Sequence, residues 1–327
     1  MKERIVWIDW AKAILIYLMV VGHCFPVAWE NQLIYAFHMP AFFIISGYLY
    51  HPHKWWNTLR SFLVPILFFS FINFLIYAIP KLLKGTFTTA HLAQRILIPF
   101  WGPDSLPEEE YIYLFPGVWF IIALLLCRLF MGDISCFSWV RKYKYHVLGL
   151  LLVFLVIEPI VFSDNPLRPY KFYRFVPSFP FVLFGYCLKN KLDLSKVSFS
   201  AVIVSTLLFV SISFFNGYTN ILKYEFGSNY ILFFVNACLA SVILYRLCFQ
   251  LKESTIIKVF STGTMLILAM NFYLKVFLSI LFGKLGLGMM VSDNYIYPWV
   301  LGLIILIVCY WPIKWLLRYC PQLIGKF

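Results

Sequence analysis

Long apolar runs, separated by short polar or basic connections, make up most of this chain. An apolar run of about 20 residues is long enough to cross a bilayer as an α-helix. The pattern predicts about ten such spans: Ile5–Phe25, Gln32–Tyr50, Leu59–Ile79, Phe115–Phe130, Tyr145–Phe162, Phe172–Leu188, Phe199–Phe215, Ser228–Phe249, Val259–Phe282 and Tyr295–Leu317. We therefore expect an all-α, polytopic membrane protein with one domain over residues 1–327 and no appended soluble domain.

Composition agrees with this pattern. The 327 residues are 62% hydrophobic and 13% charged, whereas about a quarter of a soluble domain is charged. The net charge of +13 is explained by Lys and Arg in cytoplasmic loops, which set membrane orientation. Placing the N-terminus inside puts basic residues on the cytoplasmic side by roughly two to one. This bias predicts an even number of spans and cytoplasmic termini. No K/R-rich block with interleaved aromatics occurs, so no nucleic-acid partner is expected. The expected location is the cell (inner or plasma) membrane.

The sequence indicates neither a cleavable signal peptide nor a disulfide framework or metal site built from its cysteines. Asp9 and Lys12 interrupt the first apolar run, so the N-terminus does not resemble a cleavable signal peptide. The eight cysteines form no C-x-x-C pair and are interpreted as small core residues rather than as a disulfide framework or a metal site. The longest connection, from Pro80 to Leu114, has helical apolar spacing over Thr86–Trp101 that is compatible with an interfacial helix.

The first span carries the chain's most unusual polar positions, Asp9, Lys12 and His23. At about 100° per residue, Lys12 and His23 fall roughly 20° apart around the helix, and Asp9 lies roughly 40° from His23. The three side chains therefore share one stripe, with Lys12 and His23 separated by roughly 16 Å along the axis. Ionisable residues inside a membrane are costly and usually functional, and such a stripe must face protein or a wet cavity. The alternative for Asp9 and Lys12 is a structural ion pair.

The second span begins with a histidine, His38, and follows the first after only a few residues. The two spans are predicted to form an antiparallel hairpin, which brings His38 near His23 at the outer end. Two histidines without an acidic or thiol partner make a poor metal site, but a neutral imidazole can take a proton near neutral pH. The alternative is that one or both histidines simply join neighbouring helices by a hydrogen bond.

Several motifs of the chain resemble the membrane-bound acyltransferase family 3, in its fucose-4-O-acetylase-like branch of sugar and polysaccharide O-acetyltransferases. The specific motifs lie within residues 4–65, and weaker ones follow. They are Arg4-x-x-Trp7-Ile8-Asp9-x-x-Lys12, then ten residues and His23; Phe37-His38-Met39-Pro40-x-Phe42-Phe43-x-x-Ser46-Gly47; Arg60-x4-Pro65; Gly117-Val118-Trp119-Phe120; and Phe179-Pro180-Phe181-x-x-Phe184-Gly185.

This resemblance implies transfer of an acyl group, commonly acetyl, from cytoplasmic acyl-CoA to a hydroxyl of a carbohydrate: a polysaccharide, glycolipid or sugar. It implies that Lys12 and His23 supply the key groups. We expect His23 to act as general base, with Asp9 and His38 orienting groups, and Lys12 and Arg60 to contact acyl-CoA. No metal is expected.

A late family motif of the type Gly-x-x-Ser-x-x-Ile-Tyr-x-x-His is altered here. Asn271 and Lys275 lie in the segment where the histidine would be expected, and we predict that one of them contacts the acceptor. The alternative for Lys275 is that its side chain extends to an interface. Trp119 and Arg174 are weaker acceptor-binding candidates, because Trp and Arg at span ends are commonly interfacial anchors.

Two other functions remain compatible with the sequence. A transporter or flippase for a glycan-linked substrate would use the polar stripe as a path, although the internal repeat common in transporters is not evident. A non-catalytic acyl-CoA-binding relative would account for the altered late motif. Acyl transfer, substrate translocation, or acyl-CoA binding without turnover would distinguish the three.

Overall fold

The computed structural model describes residues 4–86, 117–162, 165–168, 170–189, 191–287 and 295–326. It is mostly helical, with one two-stranded hairpin. The helices are α1 (Val6–His23), α2 (Ala28–Tyr35), α3 (His38–Tyr48), α4 (Trp55–Leu83), α5 (Val118–Arg128), α6 (Trp139–Lys142), α7 (Lys144–Val161), α8 (Phe175–Leu188), α9 (Phe199–Asn216), α10 (Tyr230–Phe249), α11 (Thr255–Thr262), α12 (Thr264–Lys284) and α13 (Tyr297–Tyr319). The strands β1 (Thr219–Asn220) and β2 (Glu225–Phe226) pair antiparallel between α9 and α10.

The all-α, membrane-spanning prediction is confirmed. Among the described residues, seven helices are long and apolar enough to cross a membrane, or eight if the bent pair Val118–Asp133 and Ser135–Lys142 is one span. The expected count of ten stays a prediction. Two expected spans are shorter than a bilayer: Gln32–Tyr50 is split into α2 and α3, and Phe172–Leu188 is a shorter apolar helix.

The short apolar helices α3 and α8 are largely buried, whereas the longer helices α7 and α9 lie at the outside of the bundle. The 11 residues of α3 rise about 16 Å, roughly half the hydrocarbon thickness, and nine of them, His38–Ile45 and Gly47, are buried. By contrast, α7 and α9 are largely unburied along their apolar length. A helix enclosed by protein need not match the bilayer, since its polar backbone ends are not exposed to lipid.

The closest helix crossing joins α3 and α8. A Cβ atom added to Gly47 would overlap the carbonyl oxygen of Val182, and one added to Gly185 would overlap the carbonyl oxygen of Ile44. The two backbones are therefore in direct contact, which in membrane proteins requires small residues at the crossing. Each of the two family motifs ending in glycine thus supplies one side of the same contact.

Helix α1 lies at the centre of the bundle, packed against α3, α10, α11, α12 and α13. Both ends of the described chain meet at one end of the bundle. Partial burial lowers the pKa of Lys326, and the positive charge of Arg4 lowers it further. We call this the terminal end; its cytoplasmic orientation stays a prediction. Most of the candidate interfacial helix, residues 87–101, lies outside the described residues.

The α3–α8 crossing generates a prediction for Gly185→Ala. The added methyl group must push the two backbones apart, which we expect to cost about 1–3 kcal/mol or more and to lower Tm in detergent. Gly149→Ala in α7 is a matched control, because no atom lies within 4 Å of its added Cβ. An unchanged Tm for Gly185→Ala would contradict the close crossing.

Candidate functional site

A cavity of about 340 Å³ lies between α1 and α3. Helix α1 lines it with Lys12, Ile16 and Met19, which follow one another at helical spacing on one face. Helix α3 lines it with a matching stripe, and α4, α5, α11 and α12 contribute to its walls. Lys12 and Met19 are separated by about 10 Å along α1, so the cavity is an elongated slot. We call it the slot.

Met19 and Met39 are the lining residues of the slot nearest in sequence to the two histidines. His23 lies one turn beyond Met19 on the same helical face, and His38 immediately precedes Met39. Neither histidine lines the slot itself. The predicted stripe of α1 therefore runs along the slot from Lys12 and continues past Met19 to His23.

A second, more polar cavity of about 460 Å³ adjoins the slot at the terminal end. The two cavities share Ser61, Phe62, Arg128 and Gly325. The second cavity also contains Arg60, together with His53, Asn57 and Thr58. A basic compartment thus opens beside an apolar one, and guanidinium groups are well suited to bind phosphate. We call this the basic mouth.

A buried carboxylate, that of Asp133, organises the basic mouth. It accepts hydrogen bonds from the Tyr50 hydroxyl at 2.8 Å, the Thr58 hydroxyl at 2.5 Å and the backbone N–H of His53 at 3.1 Å. Arg128 Nε lies 3.8 Å from the same carboxylate, and its guanidinium lies over the Tyr50 ring at 5.4 Å. Asp133 thereby fixes the segment 50–58 and the charge of Arg128 at one place.

The local turn before Asp133 depends on Gly132. Its φ of 105° is a conformation that residues with a side chain rarely adopt. Arg141 donates to the carbonyl oxygens of Met131 at 3.0 Å and Gly132 at 3.1 Å, which holds the turn. The sequence analysis did not identify Arg128 or Asp133 as site residues. The feature of the sequence that could have identified them is the pair of charges on either side of Gly132, at the end of an apolar run.

His38 is held in one tautomer. Its Nδ1 lies 2.7 Å from the carbonyl oxygen of Ile34; because a carbonyl oxygen only accepts, Nδ1 must donate the proton. In the neutral ring, Nε2 is then the nitrogen that can take up a proton. The ring is 3% exposed and packs edge-on against Tyr35, with the ring centres 5.0 Å apart.

Asp9 has partners other than Lys12. Arg4 forms a two-bonded ion pair with its carboxylate, and the Ser261 hydroxyl donates to it at 2.6 Å. The described part of the chain contains no ion pair between Asp9 and Lys12, so the alternative of a structural pair between them is not seen in this conformation. The reason is that α11 brings Ser261 against the start of α1, while Lys12 lines the slot one turn further in.

Lys275 and Asn271 bind backbone groups. Lys275 Nζ donates to the carbonyl oxygen of His23 at 2.8 Å and lies 4.2 Å from the centre of the Phe25 ring. A cation at a helix C-terminus satisfies a free carbonyl and complements the helix dipole. Asn271 donates to Leu268 O at 2.7 Å within its own helix. Lys275 therefore fixes the end of α1 that carries His23.

Trp119 and Arg174 are both buried. Trp119 is 7% exposed and belongs to the hydrophobic core, which leaves no open ring face for a sugar. Arg174 is 3% exposed and donates to the carbonyl oxygens of Arg168 and Leu222. It thus ties the start of α8 to the loop after β1. Neither residue presents a free binding surface in this conformation.

Comparison with known proteins gives one match. The model of a family described as an acyltransferase domain, acyltransferase 3, matches residues 5–315. No curated protein and no solved structure matches the chain.

The hydrogen bonds to the buried Asp133 carboxylate predict the effect of Asp133→Asn. The neutral amide would turn the charge-assisted hydrogen bonds of the carboxylate into neutral ones and would face the Thr58 hydroxyl with an NH₂ group, or the other donors if flipped, at a cost of about 1–3 kcal/mol. We expect a lower Tm in detergent together with weaker acyl-CoA binding, since Arg128 and the segment 50–58 are no longer held in place at the basic mouth. The control is Asp193→Asn, whose partner Lys196 is 82% exposed and which should leave both properties unchanged. Equal behaviour of the two variants would contradict the role of Asp133.

Proposed function

The chain belongs to the membrane acyltransferase family 3, and we propose that it is an O-acyltransferase that moves an acetyl group from acetyl-CoA to a hydroxyl of a carbohydrate. The acceptor belongs to the cell surface or to an exported glycan. The protein is multi-pass, and we propose that it resides in the cell (inner or plasma) membrane with its terminal end in the cytoplasm.

The observation that carries this proposal is the slot with its basic mouth. Acyl-CoA has a strongly anionic nucleotide end, a long flexible arm and a small acyl group at the tip. Arg60 and Arg128 in the basic mouth match the phosphates, and the slot is elongated, as the arm requires. Lys12 lies on the slot wall, where its ammonium can pair with a phosphate or donate to the arm. The donor therefore enters from the terminal end.

The proposed chemistry needs a base and no metal. The acceptor hydroxyl oxygen attacks the thioester carbonyl carbon while a histidine removes the hydroxyl proton. The tetrahedral intermediate then collapses, the carbon–sulfur bond breaks, and the departing thiolate takes the proton to give free CoA. The products are the O-acetyl ester and CoA, so atoms and electrons balance.

His23 remains our candidate for the base. It lies on the same face of α1 as the slot-lining residues, and it is more exposed than His38. Lys275 supports this role indirectly, because it holds the backbone of His23 without occupying the ring. His38 has a defined tautomer and lies at the start of α3, so we assign it a positioning role: it orients either His23 or the acceptor. Asp9 orients the start of α1 through Arg4 and Ser261.

Replacement of His23 tests the proposal. We expect His23→Ala in correctly inserted protein to reduce acetyl transfer by about 10²-fold or more, which is the usual size of a general-base contribution. His38→Ala should cause a smaller loss if His38 positions another group. The measurement is the initial rate of transfer from radiolabelled acetyl-CoA to membrane glycans.

His146→Ala is the matched control, because His146 is exposed at the terminal end of α7 and lies outside both cavities. Its rate should equal that of the wild type. Undiminished transfer by His23→Ala would remove His23 as the base. Translocation of a glycan without any acyl transfer by the wild type would contradict the whole proposal.

A further inference from the structure

A third cavity, of about 660 Å³, lies at the opposite end of the bundle from the basic mouth. It is bounded by the last turns of α7 and by the segment that joins α9 to α10, including the β-hairpin. Because α7 and α9 both run away from the terminal end, this cavity faces the side that we predict to be outside. We call it the outer cleft.

One side of the outer cleft carries hydrogen-bonding groups and aromatic rings. Glu225 is exposed there and supplies a carboxylate. Asn229 uses its side-chain oxygen to accept from Ile231 N at 2.7 Å, which leaves its NH₂ group to donate. Tyr218 and Tyr224 add rings. A sugar presents apolar C–H faces and a rim of hydroxyls, so rings beside a carboxylate and an amide suit both of its surfaces.

The other side of the outer cleft is apolar and belongs to the membrane-facing helix α7. It consists of Leu155, Val156, Pro159 and Ile160. Ile160 is 78% exposed, on a helix whose apolar length is largely unburied and therefore faces lipid. A purely polar solute would gain nothing from this wall. A molecule with a saccharide head and a hydrocarbon anchor would match both sides.

The outer cleft is connected to the histidines by ring contacts. Tyr218 packs against Tyr35 with the ring centres 5.6 Å apart, and Tyr35 packs against His38 with the ring centres 5.0 Å apart. Tyr35 also approaches Gly22, the residue before His23. A sugar in the cleft is therefore two ring contacts from His38, and Tyr35 lies between the cleft and the turn of α1 that precedes His23.

The walls of the outer cleft are held in place before any ligand binds. Tyr224 has a φ of 62°, which is unusual for a bulky residue and persists only where its surroundings enforce it. The guanidinium groups of Arg168 and Arg174 lie over its ring, 5.3 and 5.7 Å from the ring centre. Arg168 is itself paired at 2.8 Å with the fully buried Glu158. Such preorganisation lowers the cost of binding.

We propose that the outer cleft binds the saccharide head of a membrane-anchored glycolipid, which is the acetyl acceptor, with Glu225 and Tyr218 as principal contacts. This inference rests on the proposed acyltransferase function. It assigns the donor to the slot and the acceptor to the outer cleft, so that the two substrates reach the histidines from opposite ends of the bundle.

The experiment measures how the rate of acetyl transfer depends on the amount of acceptor rather than on the amount of donor. The probe is the glycolipid fraction that chloroform and methanol extract from membranes of a strain lacking this protein, supplied to the purified full-length protein with radiolabelled acetyl-CoA. Glu225→Gln and Tyr218→Ala should each raise the half-saturating amount of glycolipid about tenfold, the effect of losing one charged or stacking contact. The KM for acetyl-CoA should not change, and Tyr218→Phe should retain most of the affinity.

Glu253→Gln is the matched control, because Glu253 is an exposed carboxylate at the terminal end, outside the cavities described. It should behave as wild type. Unchanged glycolipid saturation in both cleft variants would overturn the inference, as would wild-type label that appears only in water-soluble polysaccharide. Failure of the wild type to transfer label to any carbohydrate, with or without a lipid anchor, would instead contradict the proposed function itself.

Discussion

The backbone contact between α3 and α8 at Gly47 and Gly185 is the constraint on which the site depends. Apolar side chains have little reason to leave lipid for each other, so helices in a membrane are held by close packing. This contact fixes a helix of 11 residues that is too short to cross the bilayer alone. The start of α3 then places His38, its middle lines the slot, and the residues after it reach Asp133 through Tyr50.

A second consequence is that the site has two distinct ends. At the terminal end, charges collect around Asp133, and Arg128 faces the basic mouth. At the other end, Tyr35 and Tyr218 connect His38 with a cleft that is polar on one side and apolar on the other. The central helix α1 runs between these ends, and Lys275 fixes its last carbonyl. An acyl group would thus meet its acceptor inside the bundle, away from bulk water.

Much of the fold was predictable from the sequence, because apolar length directly reflects bilayer thickness. The stripe of Lys12 and His23 was predictable too, since helical periodicity fixes which residues share a face. The breaks were not: apolar length alone does not reveal that Gln32–Tyr50 is interrupted at Phe37, whose φ of −145° separates α2 from α3. The partners of Asp9 could not be predicted for a similar reason. Ser261 lies far along the chain, and only tertiary packing brings it to the carboxylate.

The altered late motif has a physical explanation in the structure. Asn271 bonds its own helix and Lys275 caps α1, so Lys275 supports the segment that carries His23, and a contact of either residue with the acceptor stays a prediction. Acetyl transfer in sealed membrane vesicles of known orientation, with membrane-impermeant acetyl-CoA added outside, tests the two-ended arrangement most directly. The account predicts transfer, with CoA released into the same medium, only in inside-out vesicles. Transfer confined to right-side-out vesicles would contradict it.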